Sequence, residues 1–340
     1  MRAAQSCATT GRGVAGKRCV STGPGVVVKK RLSNPMLKRC LDWDYRQRAI
    51  YMVTLVIEGR RPLLGELSGV GADAVVQKTA LGRMVEQNWR ELPVRHPGVE
   101  TLGCVVMPDH FHGLIFIREP QVKTLGAIVR GFKSGTTKLA GQGGGQCPVA
   151  AHDCTAAFWA AGFNDRILFR RGQLSAMSAY IRDNPRRLAL RRAHPDLFRI
   201  VRNIPFCGEN FSAIGNAFLL ERPVRIAVRC SRSITPEALA RREQELLAAA
   251  QHGAVLISPC ISPGEKQIAR AALAAGLPLV VLLENGFPEI YKPPKAHFEA
   301  CVNGHLLMLA PWPYHSEKRL ITRAQCSALN AYARQLATEK

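Results

Sequence analysis

The chain has 340 residues, of which 47% are hydrophobic, and it carries a formal net charge of +22. This length is typical of two domains, and no run of eighteen apolar residues is present, so the sequence predicts no transmembrane helix. So large a positive charge indicates a polyanionic partner, with nucleic acid as the default. A membrane surface is disfavoured because no basic amphipathic helix with an aromatic face stands out.

Residues 1–40 are basic and rich in glycine and serine, which predicts a disordered basic arm. This segment lacks the apolar stretch of a secretory signal. The eleven cysteines are odd in number and contain no CxxC pair, so they match neither a disulfide framework nor a zinc ribbon. We expect a reducing, cytoplasmic environment with mostly buried free thiols.

The first domain is predicted to span residues 42–200. Its expected elements are a strand at 49–59, a helix at 71–92, a long strand at 99–117 bent at Met107-Pro108, a helix at 124–140, and a helix at 173–193 that Pro185 ends or kinks. This order predicts an α+β fold in which helices pack on an antiparallel sheet.

The second domain is predicted to span residues 205–335. Short apolar runs at 224–231, 254–260, 278–286 and 305–312 alternate at first with helical segments at 235–251 and 264–276. This alternation predicts a parallel sheet with crossover helices, an α/β domain that is Rossmann-like in outline. No GxGxxG motif follows its first strand.

One strand-to-helix loop of the second domain is a candidate anion site. Ser258, Ser262, Gly264 and Glu265 lie where a strand's carboxyl end meets a helix N-terminus, which can receive a phosphate. Loops of this kind are also built from serine, proline and glycine for turn geometry alone. The sequence leaves both interpretations open.

The stretch VVMPDHFHGLIFI (105–117) places two histidines in an apolar run. Residues two apart in a strand point to the same face, so His110 and His112 should lie side by side while Phe111 points into the core. Paired imidazoles can ligate one divalent ion, and the alternative is a pair of structural histidines. Asp109 should face away from both in an ideal strand.

Three blocks, in this order, resemble the REP-associated tyrosine transposases of the HUH single-tyrosine superfamily: VVMPDHFHGLIFI, FWAAGFNDRIL (158–168) and YIRDNPRRLAL (180–190). The resemblance covers residues 44–200. It implies a ferredoxin-like HUH domain that cleaves single-stranded, often hairpin, DNA with Mg²⁺ or Mn²⁺ and transfers the strand through a 5′-phosphotyrosine intermediate. The second domain loosely resembles the DNA-processing protein A superfamily.

The resemblance makes Tyr180 the nucleophile, with His110, His112 and Asn184 as metal ligands. The alternatives are a half-buried helix aromatic for Tyr180 and a helix cap before Pro185 for Asn184. A rival position for the tyrosine is occupied by Phe163, which cannot attack a phosphate. In that case the chain is a degenerate or domesticated DNA-binding protein, in which Asn164 and Asp165 are further candidate metal ligands.

Basic side chains cluster near these motifs and are predicted to contact DNA phosphates: Arg130, Lys133, Lys138, Arg166, Arg170, Arg171, Arg182, Arg186 and Arg187. Phe158 and Trp159 could stack on bases, although core packing is the alternative. The expected location is the bacterial cytoplasm, in association with the nucleoid, and the sequence leaves open a monomer or a homodimer. A third functional hypothesis is a nucleotide-sensing regulator that acts through the second domain.

Overall fold

The computed structural model describes Cys40 and residues 42–142, 157–206, 208–317 and 319–338. The predicted basic arm, apart from Cys40, lies outside the described residues. The chain divides into two compact units. The first unit runs to Glu66 and resumes over Val76–Arg182, and the second comprises Leu67–Val75 and Asp183–Lys340.

The first part of the chain is a mixture of helices and antiparallel strands. Its elements are β1 (Ala49–Val56), β2 (Gly65–Ser68), β3 (Val75–Lys78), α1 (Ala80–Arg90), α2 (Leu92–Arg95), β4 (Val99–Val106), β5 (His110–Ile117), α3 (Leu125–Gln142), β6 (Asn164–Leu168) and α4 (Gln173–Ala193). The main sheet has the order β4-β5-β1-β6 with every neighbouring pair antiparallel, and β2 and β3 form a sheet of their own. The predicted α+β class is confirmed.

The two faces of the main sheet are covered by different helices. Val53 and Phe111 point to one face and pack in a core with Trp89 of α1 and Phe132 of α3. Residues at the alternate positions of the same strands, such as Leu114, point to the other face and pack against the first turns of α4. Strand alternation therefore separates an apolar core from the face that carries the histidines.

Two predicted elements of this region are right in type but wrong in part of their extent. The helix expected at 71–92 is preceded by strand β3, and α1 begins only after Thr79, whose side chain caps it by accepting from the backbone N–H of Gly82. The long strand expected at 99–117 is a hairpin in which Val106 pairs with Phe111. Pro108 lies in its turn, where a residue without an N–H costs no ladder hydrogen bond.

Helix α4 continues through Pro185, so of the two outcomes predicted for this proline, an end or a kink of the helix, the end is wrong. Proline removes one intrahelical hydrogen bond. Contacts on both sides of it hold the helix: Ile181 is buried against the sheet of the first unit, and Arg187 lies over the Phe298 ring at 3.9 Å. Tertiary packing overrides the local signal here.

The second unit is built around a mixed sheet. Its further elements are α5 (Pro195–Phe198), β7 (Val201–Phe206), β8 (Glu209–Gly215), β9 (Arg225–Ala227), α6 (Pro236–Gln251), β10 (Val255–Ser258), α7 (Pro263–Ala274), β11 (Leu279–Leu282), α8 (Lys295–Val302), β12 (Leu306–Ala310) and α9 (Arg323–Thr338). The sheet has the order β7-β8-β12-β11-β10-β9, with β9 to β12 mutually parallel and β7 and β8 antiparallel at one edge.

The parallel strands β10, β11 and β12 are buried on both faces, as their continuous apolar runs predict, whereas β9 is half-buried. Leu256 packs with Leu246 of α6 and Ile268 of α7 on one face. Ile257 packs with Leu329 of α9 on the other. The predicted parallel strands and the two helices among them are present with shorter strand bounds, while β7, β8, α8 and α9 were not predicted.

Six of the eleven cysteines lie among the described residues, and all six are buried or half-buried. Within the part of the chain that the structure describes, no helix has both the length and the apolar character needed to span a bilayer.

Candidate active site

The two histidines of β5 lie side by side on the sheet face opposite the main core. Their ring centroids are 4.8 Å apart and the ring planes are inclined at 83°. Both side chains are buried, with exposed fractions of 8% for His110 and 3% for His112. Phe111, between them, points into the core. The juxtaposition is the one that a two-residue period predicts.

The Nδ1 atom of each ring is held by a polar side chain. A hydrogen bond of 2.8 Å joins Nδ1 of His112 to Oγ1 of Thr54 on β1. Nδ1 of His110 donates to a carboxylate oxygen of Asp109 at 2.6 Å, and the other oxygen accepts from Nη1 of Arg60 at 2.9 Å. Because Nδ1 is engaged in both rings, each ring would present Nε2 to a metal ion.

Asp109 is a close partner of the histidine pair, so the expectation that it faces away is wrong. It lies in the turn between β4 and β5 rather than in an ideal strand, and its carboxylate folds back onto His110. Burial by itself raises the pKa of this carboxyl, but the hydrogen bonds that it accepts from His110 and Arg60, together with the positive charge of the Arg60 guanidinium, outweigh burial and hold the pKa well below its usual range.

Tyr180 lies on α4 beside the histidines. Its ring centroid is 5.8 Å from that of His112, and the ring is half-buried against Leu114, Met52 and Ile181. The side chain is therefore positioned by the packing of α4 on the sheet face that carries the histidines. His110, His112 and Tyr180 all belong to the first unit.

The remaining predicted ligand, Asn184, belongs to the second unit, and the rival tyrosine position, Phe163, belongs to the core of the first unit. Asn184 is buried one helical turn beyond Tyr180, in the second unit, and its role as a ligand stays a prediction. Phe163 is buried in the core on the opposite side of the sheet from the histidines. Asp165 is buried there too, accepting from the hydroxyl of Tyr45 at 2.8 Å, whereas Asn164 pairs with Thr54 on the histidine face and is exposed.

The residues fit a divalent ion in donor chemistry. Two adjacent imidazoles, each oriented by a hydroxyl or carboxylate on its other nitrogen, form the inner and outer shells typical of metal-binding histidines. Among the described residues, no group of three or more His, Cys, Asp and Glu side chains could hold a metal ion. A complete site therefore needs ligands of another kind, such as an amide, a substrate phosphate or water.

The predicted DNA-contact residues fall into two groups. The exposed side chains, all in the first unit, are those of Arg130, Lys138, Arg166, Arg170, Arg171 and Arg182. The other three contact protein groups. Lys133 donates to the carbonyls of Ala160 and Gly162, Arg186 pairs with Asp183 and Glu299, and Arg187 is buried and donates to a backbone carbonyl. Their roles as DNA contacts stay predictions.

Phe158 and Trp159 are core residues, with 4% exposure each. Their side chains pack with Phe132 of α3, and the indole N–H of Trp159 donates to the Thr136 hydroxyl at 2.9 Å. Core packing, the alternative weighed against base stacking, accounts for both.

The anion site considered at the start of α7 is filled by the chain itself. The carboxylate of Glu265, which is 3% exposed, accepts from the backbone N–H groups of Ile261 and Ser262, and Ser262 caps the helix in return. An internal anion thus takes the hydrogen bonds that a phosphate would need.

Sequence reasoning missed Thr54 and Arg60. The signal for Thr54 is a single threonine in the apolar strand AIYMVTLV, paired in register with His112. Arg60 has a φ of 52°, a left-handed conformation that is uncommon outside glycine, and nothing in the sequence near it indicates this.

No protein-family model matches the chain. An uncharacterized protein of Haemophilus influenzae is 31% identical to it over 123 residues, covering 30% of this chain and 66% of that protein. The chain thus spans just under two thirds of the length of this relative.

Two solved structures are similar to parts of the chain. A REP-associated tyrosine transposase bound to a REP hairpin has a TM-score of 0.31 at 18% identity, covering 42% of this chain and 68% of that one. DNA processing protein A from Helicobacter pylori, described for its single-stranded DNA binding mode, has a TM-score of 0.33 at 18% identity, covering 41% and 66%. Similarities this weak carry no argument about the function of the chain.

Proposed function

We propose that this protein is a transposase-like enzyme that cleaves single-stranded or hairpin DNA and transfers the strand, with Tyr180 as nucleophile. The observation that carries the proposal is the packing of the Tyr180 ring against His112, 5.8 Å between centroids, on the face where His110 and His112 stand side by side. A phenol next to a paired-imidazole metal site is the minimal equipment for attack on a phosphodiester.

In the proposed reaction the hydroxyl oxygen of Tyr180 attacks the scissile phosphorus. The new O–P bond forms as the bond from phosphorus to the 3′ oxygen breaks, leaving a 5′-phosphotyrosine link. The tyrosine hydroxyl loses its proton and the departing 3′ oxygen gains one. Because the pKa of a free phenol is near 10, positioning by α4 matters more than basicity.

A bound Mg²⁺ or Mn²⁺ would be held by His110 and His112 and would neutralise charge that develops on the phosphate. The hydrogen bond that His110 donates to Asp109 and the one that joins His112 to Thr54 fix the orientations of the two rings. Asn184 remains the proposed third ligand.

The finer fold assignments belong to the same proposal. The order β4-β5-β1-β6, with α1 and α3 against one face, supports a ferredoxin-like HUH domain whose central strand carries the histidines. The parallel order β9 to β12 with helices between the strands supports a Rossmann-like second domain. The chain is proposed to act in the cytoplasm at the nucleoid.

DNA is the proposed partner, held by phosphate contacts. Six of the nine predicted contact residues have exposed side chains, all in the first unit, and these together with the net charge of +22 support it. Contacts of this kind release counterions, so affinity for single-stranded DNA should fall steeply as salt is raised.

The test is a covalent adduct assay with single-stranded and hairpin oligonucleotides that carry different labels at their 5′ and 3′ ends. With Mn²⁺ or Mg²⁺, a denaturing gel should show the protein attached to the 3′-labelled fragment and a released 5′-labelled fragment. Tyr180→Phe, which keeps the ring, should abolish the adduct and retain DNA binding. The matched control, Tyr314→Phe, alters an exposed tyrosine of the second unit and should leave the adduct unchanged.

The histidines are tested in the same assay. His110→Ala and His112→Ala should each remove the adduct while DNA binding persists, and the exposed His194→Ala should behave as wild type. Persistence of the adduct in Tyr180→Phe would show that another residue is the nucleophile. DNA binding without an adduct under any condition would support the non-catalytic alternative motivated by Phe163. The burial of Phe163 in the core speaks against a nucleophile at that position.

A further inference from the structure

A cavity of about 390 Å³ in the second unit is lined mainly by basic and apolar side chains, none of which belongs to the loop before α7. We infer that this cavity, here called the arginine pocket, binds a nucleotide: a phosphate together with an attached ring. Its size falls within the range of roughly 300–1,000 Å³ that is usual for small-ligand sites.

The net positive charge of the arginine pocket favours an anionic ligand. Arg191, Arg199 and Arg202 line it together with a single acidic residue, Glu289. Within the described residues the Arg199 side chain has neither an ion pair nor a hydrogen bond, and it is exposed. Guanidinium groups match phosphate oxygens in a two-pronged geometry, so clustered arginines are typical of phosphate recognition.

The apolar part of the pocket suits a ring. Its apolar lining is formed by Phe198, Ile200, Ile290 and Tyr291, and Ile290 is 54% exposed although it is a large aliphatic residue. Phe198 is held by stacking on Phe298, with ring centroids 4.8 Å apart. A rigid apolar surface next to arginines distinguishes a nucleotide from inorganic phosphate, which would use only the charges.

The pocket has a defined place in the sheet. Val201, at the start of β7, pairs with Ala213 of β8. Ala213 pairs in turn with Leu309 of β12. Leu309 pairs with Leu282 at the end of β11. The start of β7 and the loop after β11 therefore meet at the carboxyl end of the parallel strands. Crevices at this edge are the usual ligand sites of open α/β sheets.

Arg202 is aimed by an irregularity in its strand. The register of β7 against β8 shifts between Val201 and Ile204, and Asn203 has a φ of 56°. Bulges of this kind redirect a side chain and are frequent beside functional sites. The Arg202 guanidinium donates to the carbonyl of Phe287 at 3.1 Å, which fixes it beside the loop after β11.

The test uses thymidine monophosphate, thymidine, inorganic phosphate and a short oligothymidylate as probes of the full chain. Thymidine monophosphate should bind at least about tenfold more tightly than thymidine or inorganic phosphate, because only it uses both parts of the pocket. Equal binding of monophosphate and inorganic phosphate would overturn the assignment to nucleotides.

Two variants localise the binding. Arg199→Glu should weaken binding about tenfold or more, and Ile290→Ala should weaken monophosphate binding without changing the melting temperature. Arg241→Glu, an exposed arginine on α6 outside the pocket, is the matched control. Loss of monophosphate binding in the pocket variants indicates a free nucleotide as ligand, and loss of oligothymidylate binding alone indicates a nucleotide within a strand.

If the pocket variants and the control bind both probes equally, the pocket is not a nucleotide site. The adduct assay on Tyr180 is a separate readout from these equilibrium measurements. Failure of one proposal is thereby distinguished from failure of the other.

Discussion

Substitution of Gly113, the residue after the second histidine, is predicted to destabilise the first unit even when the new residue is alanine. A Cβ atom at this position would lie 2.3 Å and 2.5 Å from two ring atoms of Trp89 and 2.9 Å from a ring atom of Phe111. Its backbone is extended and φ is not in the left-handed region, so alanine itself carries no conformational penalty. The cost of Gly113→Ala is therefore purely steric.

The magnitude follows from the surroundings of Trp89. The indole is fully buried, with ring centroids 5.1 Å from Phe111 and 5.4 Å from Phe132, so it has no open space into which to move. Overpacking of a core costs about 1–3 kcal/mol. Two contacts far below van der Waals distance place Gly113→Ala near the top of this range, at about 3 kcal/mol.

The assay is urea unfolding followed by tryptophan fluorescence, since Trp89 and Trp159 lie in this core. Gly113→Ala should lower the unfolding midpoint. The control is Gly131→Ala on α3, where a Cβ would meet nothing within 4 Å and alanine favours the helix by roughly 1 kcal/mol. If Gly113→Ala were as stable as the wild type, the close packing inferred behind the histidines would be refuted.

Three further substitutions test the contacts described above. Asp109→Asn should weaken Mn²⁺ binding about 10–100-fold in calorimetry because the carboxylate that orients His110 is lost, and the exposed Asp196→Asn should not. Thr54→Val should weaken it by about tenfold at most, the value of one hydrogen bond, and unchanged affinity would show that the hydroxyl does not orient the ring. Glu265→Gln should lower the stability of the second unit by about 1–3 kcal/mol, because a neutral amide oxygen accepts more weakly than the carboxylate from Ile261 and Ser262 and the amide NH2 would face the N–H of Cys230, and an unaltered melting curve would contradict this.

The sequence predicts those elements whose local pattern and tertiary role agree. β1, α3 and the parallel strands of the second unit have uninterrupted apolar patterns and were located within a few residues. The start of the helix predicted at 71–92 is wrong because Val75 and Val76 continue the helical spacing of apolar residues into a segment that forms strand β3. The helix does not end at Pro185 because the contacts made by Ile181 and Arg187 outweigh the one intrahelical hydrogen bond that proline removes.

The candidate site likewise contains contacts that the sequence predicts and contacts that it does not. The side-by-side placement of His110 and His112 follows from strand geometry alone and was predictable. The contact of Asp109 with His110 was not, because it depends on a hairpin turn where the sequence indicated only a bend. Thr54 needed the pairing register of β1 with β5, which is set by the whole sheet rather than by the residues around it.

The position of β5 in the sheet determines how the candidate site can be lost. β5 is hydrogen-bonded along its length to β4 on one side and to β1 on the other, with no free edge. Amide protons in such a strand exchange with solvent only when the surrounding unit opens cooperatively. The imidazoles are therefore carried by the slowest-exchanging part of the first unit. Partial unfolding of its loops and outer helices should leave them in place, whereas unfolding of the sheet removes them together.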